Sequence, residues 1–277
     1  VASRGLGDVY KRQQSVYMLP YAVLAVPIAT AMFPRLSSLL HQGGKAAFNP
    51  ECAASTRLVT IVGLFGSALL VTLARPVTDI FTRINPVPGM LWALVAMAPG
   101  IVGYGLVYHV SRVLYALGGA RQAVVASSTG WLTVAILSWG LGATLPEIIS
   151  NRANGILLAL GLAQSVGMTV GAVGLLIGLR KLAGRQAVSG VGAAALKAFL
   201  MALLAAAAGW WLSGWLMGLW PGVIGTFVAA AIAALSSALI MSPLLIPQLR
   251  KRKRESTPGM GSVDFKDGAN SENRSEE

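Results

Sequence analysis

Residues 19–40 read "LPYAVLAVPIATAMFPRLSSLL". The run is apolar and uncharged until Arg35, yet Pro20, Pro27 and Pro34 recur in it every seven residues. Its apolar length argues for a membrane-crossing helix, which needs about 20 such residues. Proline argues against a regular one, because it removes a backbone donor and clashes with the preceding turn at roughly 3 kcal/mol. Seven residues are close to two turns, so the three prolines share one helix face. Pro20 and Pro27 are therefore read as freeing carbonyls on that face and kinking a membrane helix. Pro34 is read as ending it. Such a bend either lines a cavity and hinges or only improves packing, and the sequence leaves both open.

The rest of the chain extends this pattern. Of 277 residues, 55% are hydrophobic and 12% charged, and the mean hydropathy is +0.67. A soluble domain averages about 25% charged residues. Between residues 13 and 250 the acidic residues are Glu51, Asp79 and Glu147 alone. Apolar stretches predict seven spans, at about 15–40, 55–80, 88–117, 121–145, 153–181, 191–217 and 221–248. The turn "NPVPG" precedes the third, and "LWPG" at 219–222 divides the last two. Backbone without partners is costly inside a bilayer, so such breaks belong at its surfaces. The fold class is all-α, a polytopic membrane protein with seven transmembrane helices.

Charge sets the expected orientation. Arg35, Lys45, Arg57, Arg112, Arg121, Arg180, Lys181, Arg185, Lys197 and the five residues "RKRKR" (250–254) fall on one side. Only Arg75, Arg83 and Arg152 fall on the other. The positive-inside rule places the first side, and the C-terminus, in the cytoplasm. Trp210, Trp211, Trp215 and Trp220 then read as an outer aromatic belt. Residues 251–277 read as a basic, then acidic, disordered cytoplasmic tail. The net charge of +12 is explained by topology rather than by nucleic acid, which is excluded as a partner. One cysteine, Cys52, excludes an internal disulfide framework or Cys-based metal cluster, and no cofactor or metal is implied. Cys52 lies between Lys45 and Arg57 and is expected to face the cytoplasm.

The start of the chain differs in kind. "DVYKRQ", Asp8 to Gln13, back-translates as GAT GTG TAT AAG AGA CAG, which resembles the transposon mosaic end used to prepare sequencing libraries. Residues 1–13 are read as adapter-derived, with an ordinary basic juxtamembrane stretch as the alternative. On the first reading the chain is an N-terminal truncation whose first half is missing.

Two motifs, "LPYAVLAVPIATAMFPRLS" and the later "RVLYALGGARQAV", resemble the MurJ (MviN) family of lipid II flippases, within the multidrug/oligosaccharidyl-lipid/polysaccharide exporter superfamily. The resemblance covers residues 16 to about 250. It implies 14 spans in two six-helix lobes plus a terminal pair. Residues 14–182 would then supply five helices of the second lobe, and 183–250 the terminal pair. The implied function is flipping of lipid II by alternating access in the bacterial cytoplasmic membrane. The implied partners are lipid II or a related polyprenyl-linked precursor, membrane lipids, and the missing N-terminal lobe of the same protein. Pro20 and Pro27 would line the cavity or act as a hinge. The terminal pair would form a lipid-tail groove, for which Ala206 and Ala231 are candidates. The family places an essential arginine where this chain has Ser15, so the phosphate contact is left unassigned.

Other polar residues carry plainer expectations. Arg75 and Asp79 read as an interfacial pair four residues apart. Arg112 reads as a snorkelling topology charge, His109 as a hydrogen-bonded packing residue, and Gln164 as an amide bonded to a neighbouring helix. Gly167, Gly171, Gly174 and Gly178 form a small-residue stripe for close helix packing. The isolated carboxylates oppose a membrane enzyme acting on polyprenyl phosphates, so no catalytic residue is assigned. A polysaccharide-lipid or drug exporter of the same superfamily and a non-transporting scaffold are the remaining alternatives.

Overall fold

The computed structural model describes residue 11 and residues 14–84, 88–149 and 151–256. Most of residues 1–13, the turn residues 85–87 and the expected tail over 257–277 lie outside the described residues. The elements are α1 (14–20), a π-helical turn (Tyr21–Ala25), α2 (Val26–Ile84), α3 (Met90–Met97), α4 (Gly100–Ala116), α5 (Ala120–Ile148), α6 (Arg152–Ala183), a 3-10 turn (Arg185–Val188), α7 (Val191–Leu219) and α8 (Val223–Ser256). There is no strand among the described residues.

The helical stretch Gln14–Ile84 has 71 residues. At 1.5 Å per residue it would be about 106 Å long if straight, over three times the roughly 30 Å hydrocarbon core. It is not straight, because Gly44 adopts φ 60°, ψ −158°, a region essentially restricted to glycine. Gly44 separates a first arm of α2 (26–43) from a second (45–84), giving two crossings. Helices α5, α6, α7 and α8 are each long and apolar enough to cross, and α3 with α4 forms one further span bent by 44°. By length and composition these are five spans, or six with the bent pair, and about seven, as expected, when Gln14–Ile84 is counted as two.

The bend in that third span was not foreseen. It falls at Pro99, which has no N–H to continue the ladder. Ser165 of α6 supplies what the break removes. Its Oγ accepts from Gly100 N at 3.0 Å and donates to Ala96 O at 2.5 Å. A hydroxyl from a neighbouring helix thus satisfies backbone groups freed inside an apolar environment.

The core runs along α4. One cluster joins Leu36, Phe48, Val59, Val110, Leu114, Leu175 and Leu179. Another joins Tyr17, Tyr21, Leu94, Met97, Ile101 and Leu157. The glycines of α6 face α5: a Cβ on Gly167 would stand 2.7 Å from Gly130 O, and one on Gly174 would stand 3.1 Å from Ala126 Cβ. Three residues of α2 hold the α6–α7 connection. Lys45 Nζ donates to Leu182 O (2.8 Å), Asn49 Nδ2 to Ala183 O (3.1 Å) and Arg57 Nη1 to Ser189 O (2.9 Å). Lys45 and Asn49 thus cap the end of α6, while Arg57 ties down the connection beyond it.

Helices α7 and α8 pack on the second arm of α2 through small and hydroxyl residues. Thr72 Oγ1 lies 2.9 Å from Ser237 Oγ, and Ser237 Oγ donates to Ala205 O at 3.2 Å. A second unit begins at Ile246, and its described part, through Ser256, is the end of α8. Residues 251–256, expected in the tail, are therefore helical. Lysine and arginine are good helix formers, and extending a formed helix is easier than starting one.

Candidate functional site

The proline-bearing helix contains a widened turn rather than a simple kink. Val26 N–H donates to Tyr21 O, five residues back. Pro27 has no N–H for the carbonyl four residues before it, so the ladder is already interrupted here, and π-turns of this kind concentrate at functional positions. Pro27 and Pro34 are exposed and Pro20 is half-buried; Pro34 does not end the helix as expected, because α2 continues through it to the break at Gly44. The opposite face carries Tyr17, Tyr21, Ala25, Ala29, Met32 and Leu36, all buried.

That buried face meets an aromatic cluster that the sequence reading did not single out. Tyr21 packs edge-on against Tyr104 at 4.8 Å between centroids and Tyr108 at 5.8 Å. Tyr104 also meets Tyr17 and Trp131, each at 6.3 Å. Arg112 continues the row one turn beyond Tyr108. Its guanidinium lies 3.9 Å above the Tyr108 ring, and Nη2 donates to the Tyr108 hydroxyl. Arg112 is the charge expected to snorkel. It is half-buried and held flat against an aromatic face, where a cation is attracted by the ring quadrupole. The four-residue spacing Tyr104–Tyr108–Arg112 was the available signal, since such residues share a helix face.

His109, on the same helix, points elsewhere. It is buried, and its Nε2 lies 3.2 Å from Ser55 Oγ, which also donates to Cys52 O. This is the hydrogen-bonded packing role expected for it. Gln164 departs from expectation, because its Nε2 is buried without a hydrogen-bond partner among the described residues. Cys52 departs as well. It lies in the connection between the first two expected spans, but it is fully buried, and burial pushes its thiol up to about 12. Packing of α2 against α4 removes it from water although its neighbours in sequence are charged. Ser15 donates its hydroxyl to Lys11 O at 3.1 Å.

A groove of about 940 Å³ opens between α7, the second arm of α2, α3, α4 and α6. Its wall is apolar, with Leu64, Val102, Leu106, Val173, Ile177, Phe199 and Ala206 among the lining residues. Arg180 is the only charged residue of the lining, at the end shared with Val188 and Val191. Ala206 therefore lines a groove, between α7 and the α2–α4–α6 bundle. Ala231 is exposed on α8 and does not line it.

At the other end of the helices the charges pair differently from expectation. Asp79 accepts from Arg83 at 2.8 Å and from Thr226 Oγ1 at 2.8 Å. Arg75 instead lies 4.0 Å over the Trp210 ring, in space that a side chain on Gly214 would fill. Trp211, Trp215 and Trp220 are exposed. No group of three His, Cys, Asp or Glu able to hold a metal occurs among the described residues.

These features can be set beside known proteins. The family described as "Lipid II flippase MurJ" matches residues 8–243. A solved structure described as "Lipid II flippase MurJ, inward closed conformation" superposes with a TM-score of 0.60 at 17% identity, covering 88% of this chain and 48% of that chain. That likeness is one of fold, and the chain spans about half the length of that structure. A search of curated proteins returns no match.

Proposed function

Since the chain belongs to the MurJ family of lipid II flippases, we propose that it supplies the second half of a transporter that moves a lipid-linked peptidoglycan precursor across the membrane by alternating access. Residues 14–182 would be five helices of the second lobe and 183–250 the terminal pair, with a first lobe as partner. The positive-inside charges put the C-terminus in the cytoplasm. The Pro20–Pro27 segment is the hinge of this scheme. Its π-turn already lacks a regular ladder, so bending there breaks fewer hydrogen bonds than bending elsewhere.

The observation that carries the reading is the groove along α7. From Val191 to Ala206 it follows α7 for about 22 Å, whereas one leaflet of the hydrocarbon core is only about 15 Å deep. A groove that passes the bilayer midplane suits a tail longer than an ordinary acyl chain, and a polyprenyl tail is such a chain. Arg180 borders the groove at the end that the charge rule assigns to the cytoplasm. The experiment replaces the corresponding half of a lipid II flippase with this chain, in cells depleted of their own enzyme. Growth and outward exposure of lipid II are expected with the fusion, and neither with the 277-residue chain alone. Rescue by the chain alone would overturn the two-lobe scheme, and a stable, inserted fusion that exposes no lipid II would overturn the substrate.

A further inference from the structure

Helix α4 has two functional faces. Val102 and Leu106 line the apolar groove, while Tyr104 and Tyr108, about half a turn away, join the aromatic cluster. A flippase must keep its substrate's tail in lipid while shielding the polar head group, so a helix with one face for each is suited to stand between them.

We infer that Arg112, backed by Tyr108, binds the diphosphate of a polyprenyl diphosphate-linked saccharide, and that Trp131 beside Tyr104 offers its ring face to the adjoining sugar. This rests on the transport reading above and assigns its head-group contact. Arg112 is half-buried near the end of a membrane helix and has no carboxylate partner among the described residues. Arginines near helix ends commonly snorkel to the interface, but this one is turned back onto the Tyr108 ring four residues before it. A guanidinium has five N–H donors in a planar fork, and the Tyr108 hydroxyl takes one of them. Stacking on Tyr108 fixes the fork without neutralising it. The remaining donors match the paired oxygens of a phosphate, which arginine recognises in bidentate fashion.

The neighbours complete the site. From Tyr104 to Arg112 the row is about 12 Å long, and Trp131, reaching Tyr104 from α5, is 47% exposed. A half-exposed indole at the Tyr104 end of this row is an apolar plate that can cover the C–H face of a pyranose while the phosphate is held at the Arg112 end. Ser15 is neutral, and its hydroxyl is engaged by Lys11 O.

The test measures binding to the chain in lipid nanodiscs by native mass spectrometry, using three probes: a polyprenol, the polyprenyl diphosphate, and the diphosphate bearing a disaccharide. Wild type is expected to prefer both diphosphates to the alcohol. Arg112→Gln should weaken both diphosphates about tenfold to a hundredfold, the range of a lost charged hydrogen bond, and leave the alcohol unchanged. Arg112→Lys keeps the charge without the fork and should fall between them. Trp131→Ala should weaken only the disaccharide form, and Trp131→Phe should restore it in part. If wild type prefers the diphosphates and Arg112→Gln does so equally, the assignment of Arg112 fails while the transport reading stands. If wild type does not distinguish diphosphate from alcohol, both fail.

Discussion

Gly167 and Gly171 belong to one stripe on α6 and face the same helix, yet the structure separates them sharply. A Cβ on Gly167 would stand 2.3 Å from Val134 Cγ2, 2.7 Å from Gly130 O and 2.8 Å from Val134 N. Two of those neighbours are backbone, so no rotamer change relieves the overlap, and α5 must retreat by about 1 Å. Overpacking of this kind costs about 1–3 kcal/mol. A Cβ on Gly171 would meet Gly130 Cα and Val107 Cγ2 at 3.4 Å, which is ordinary contact. Both replacements by alanine gain the same helix propensity, about 0.5–1 kcal/mol. That gain cancels in the comparison and leaves the packing difference. Gly167→Ala should therefore be less stable than Gly171→Ala by about 1–3 kcal/mol, and Gly171→Ala should match or exceed wild type. Gly142→Ala, on the same pair of helices but with open space around it, is the control. The assay is denaturant unfolding in detergent micelles followed by tryptophan fluorescence, since Trp131 and Trp139 both lie on α5. If Gly167→Ala and Gly171→Ala unfold within about 0.5 kcal/mol of each other, the α5–α6 contact is not the backbone approach described, and the reasoning is wrong.

Further outcomes follow from the same geometry. Cys52 is buried with a raised pKa, so in the folded protein its thiol stays protonated and unreactive to maleimide from pH 7 to 9, and labels only on unfolding; ready labelling of native protein would contradict the packing of α2 on α4. On a Cys52→Ser background, Gln42→Cys should be labelled by an impermeant maleimide only after permeabilisation and Leu219→Cys without it, and the reverse pattern would invert the topology. Ser165→Ala leaves Gly100 N–H and Ala96 O without their shared partner and should cost about 1–3 kcal/mol, with faster amide exchange at Gly100; unchanged exchange there would show that the Pro99 break does not depend on α6. In the fused transporter, Ala206→Trp should fill the groove and slow flipping, whereas Ala231→Trp, exposed on α8, should not; equal rates for both would remove the groove from the mechanism.

Much of this protein was legible in its sequence because a bilayer reads composition directly. Apolar length marked where spans run and lysine and arginine an expected orientation, but proline did not always mark an end: α2 continues through Pro34 and breaks at Gly44. The motif around Pro20, Pro27 and Pro34 carried the family resemblance. The glycine stripe was visible because residues three and four apart share a face whatever their partner. Tertiary structure decided which faces meet. In a soluble helix the buried side announces itself as the apolar one, but here nearly every side is apolar, so periodicity alone does not name the partner. Tyr104, Tyr108 and Arg112 could be placed on one face from spacing, yet only the fold brings Tyr21 and Trp131 to them. The same holds for Ser165 at the Pro99 break, for Cys52 beneath a charged surface stretch, and for a groove beside α6. Each depends on a side chain from a distant span filling a gap or satisfying a backbone group, which is a property of the pair and is written in neither segment alone.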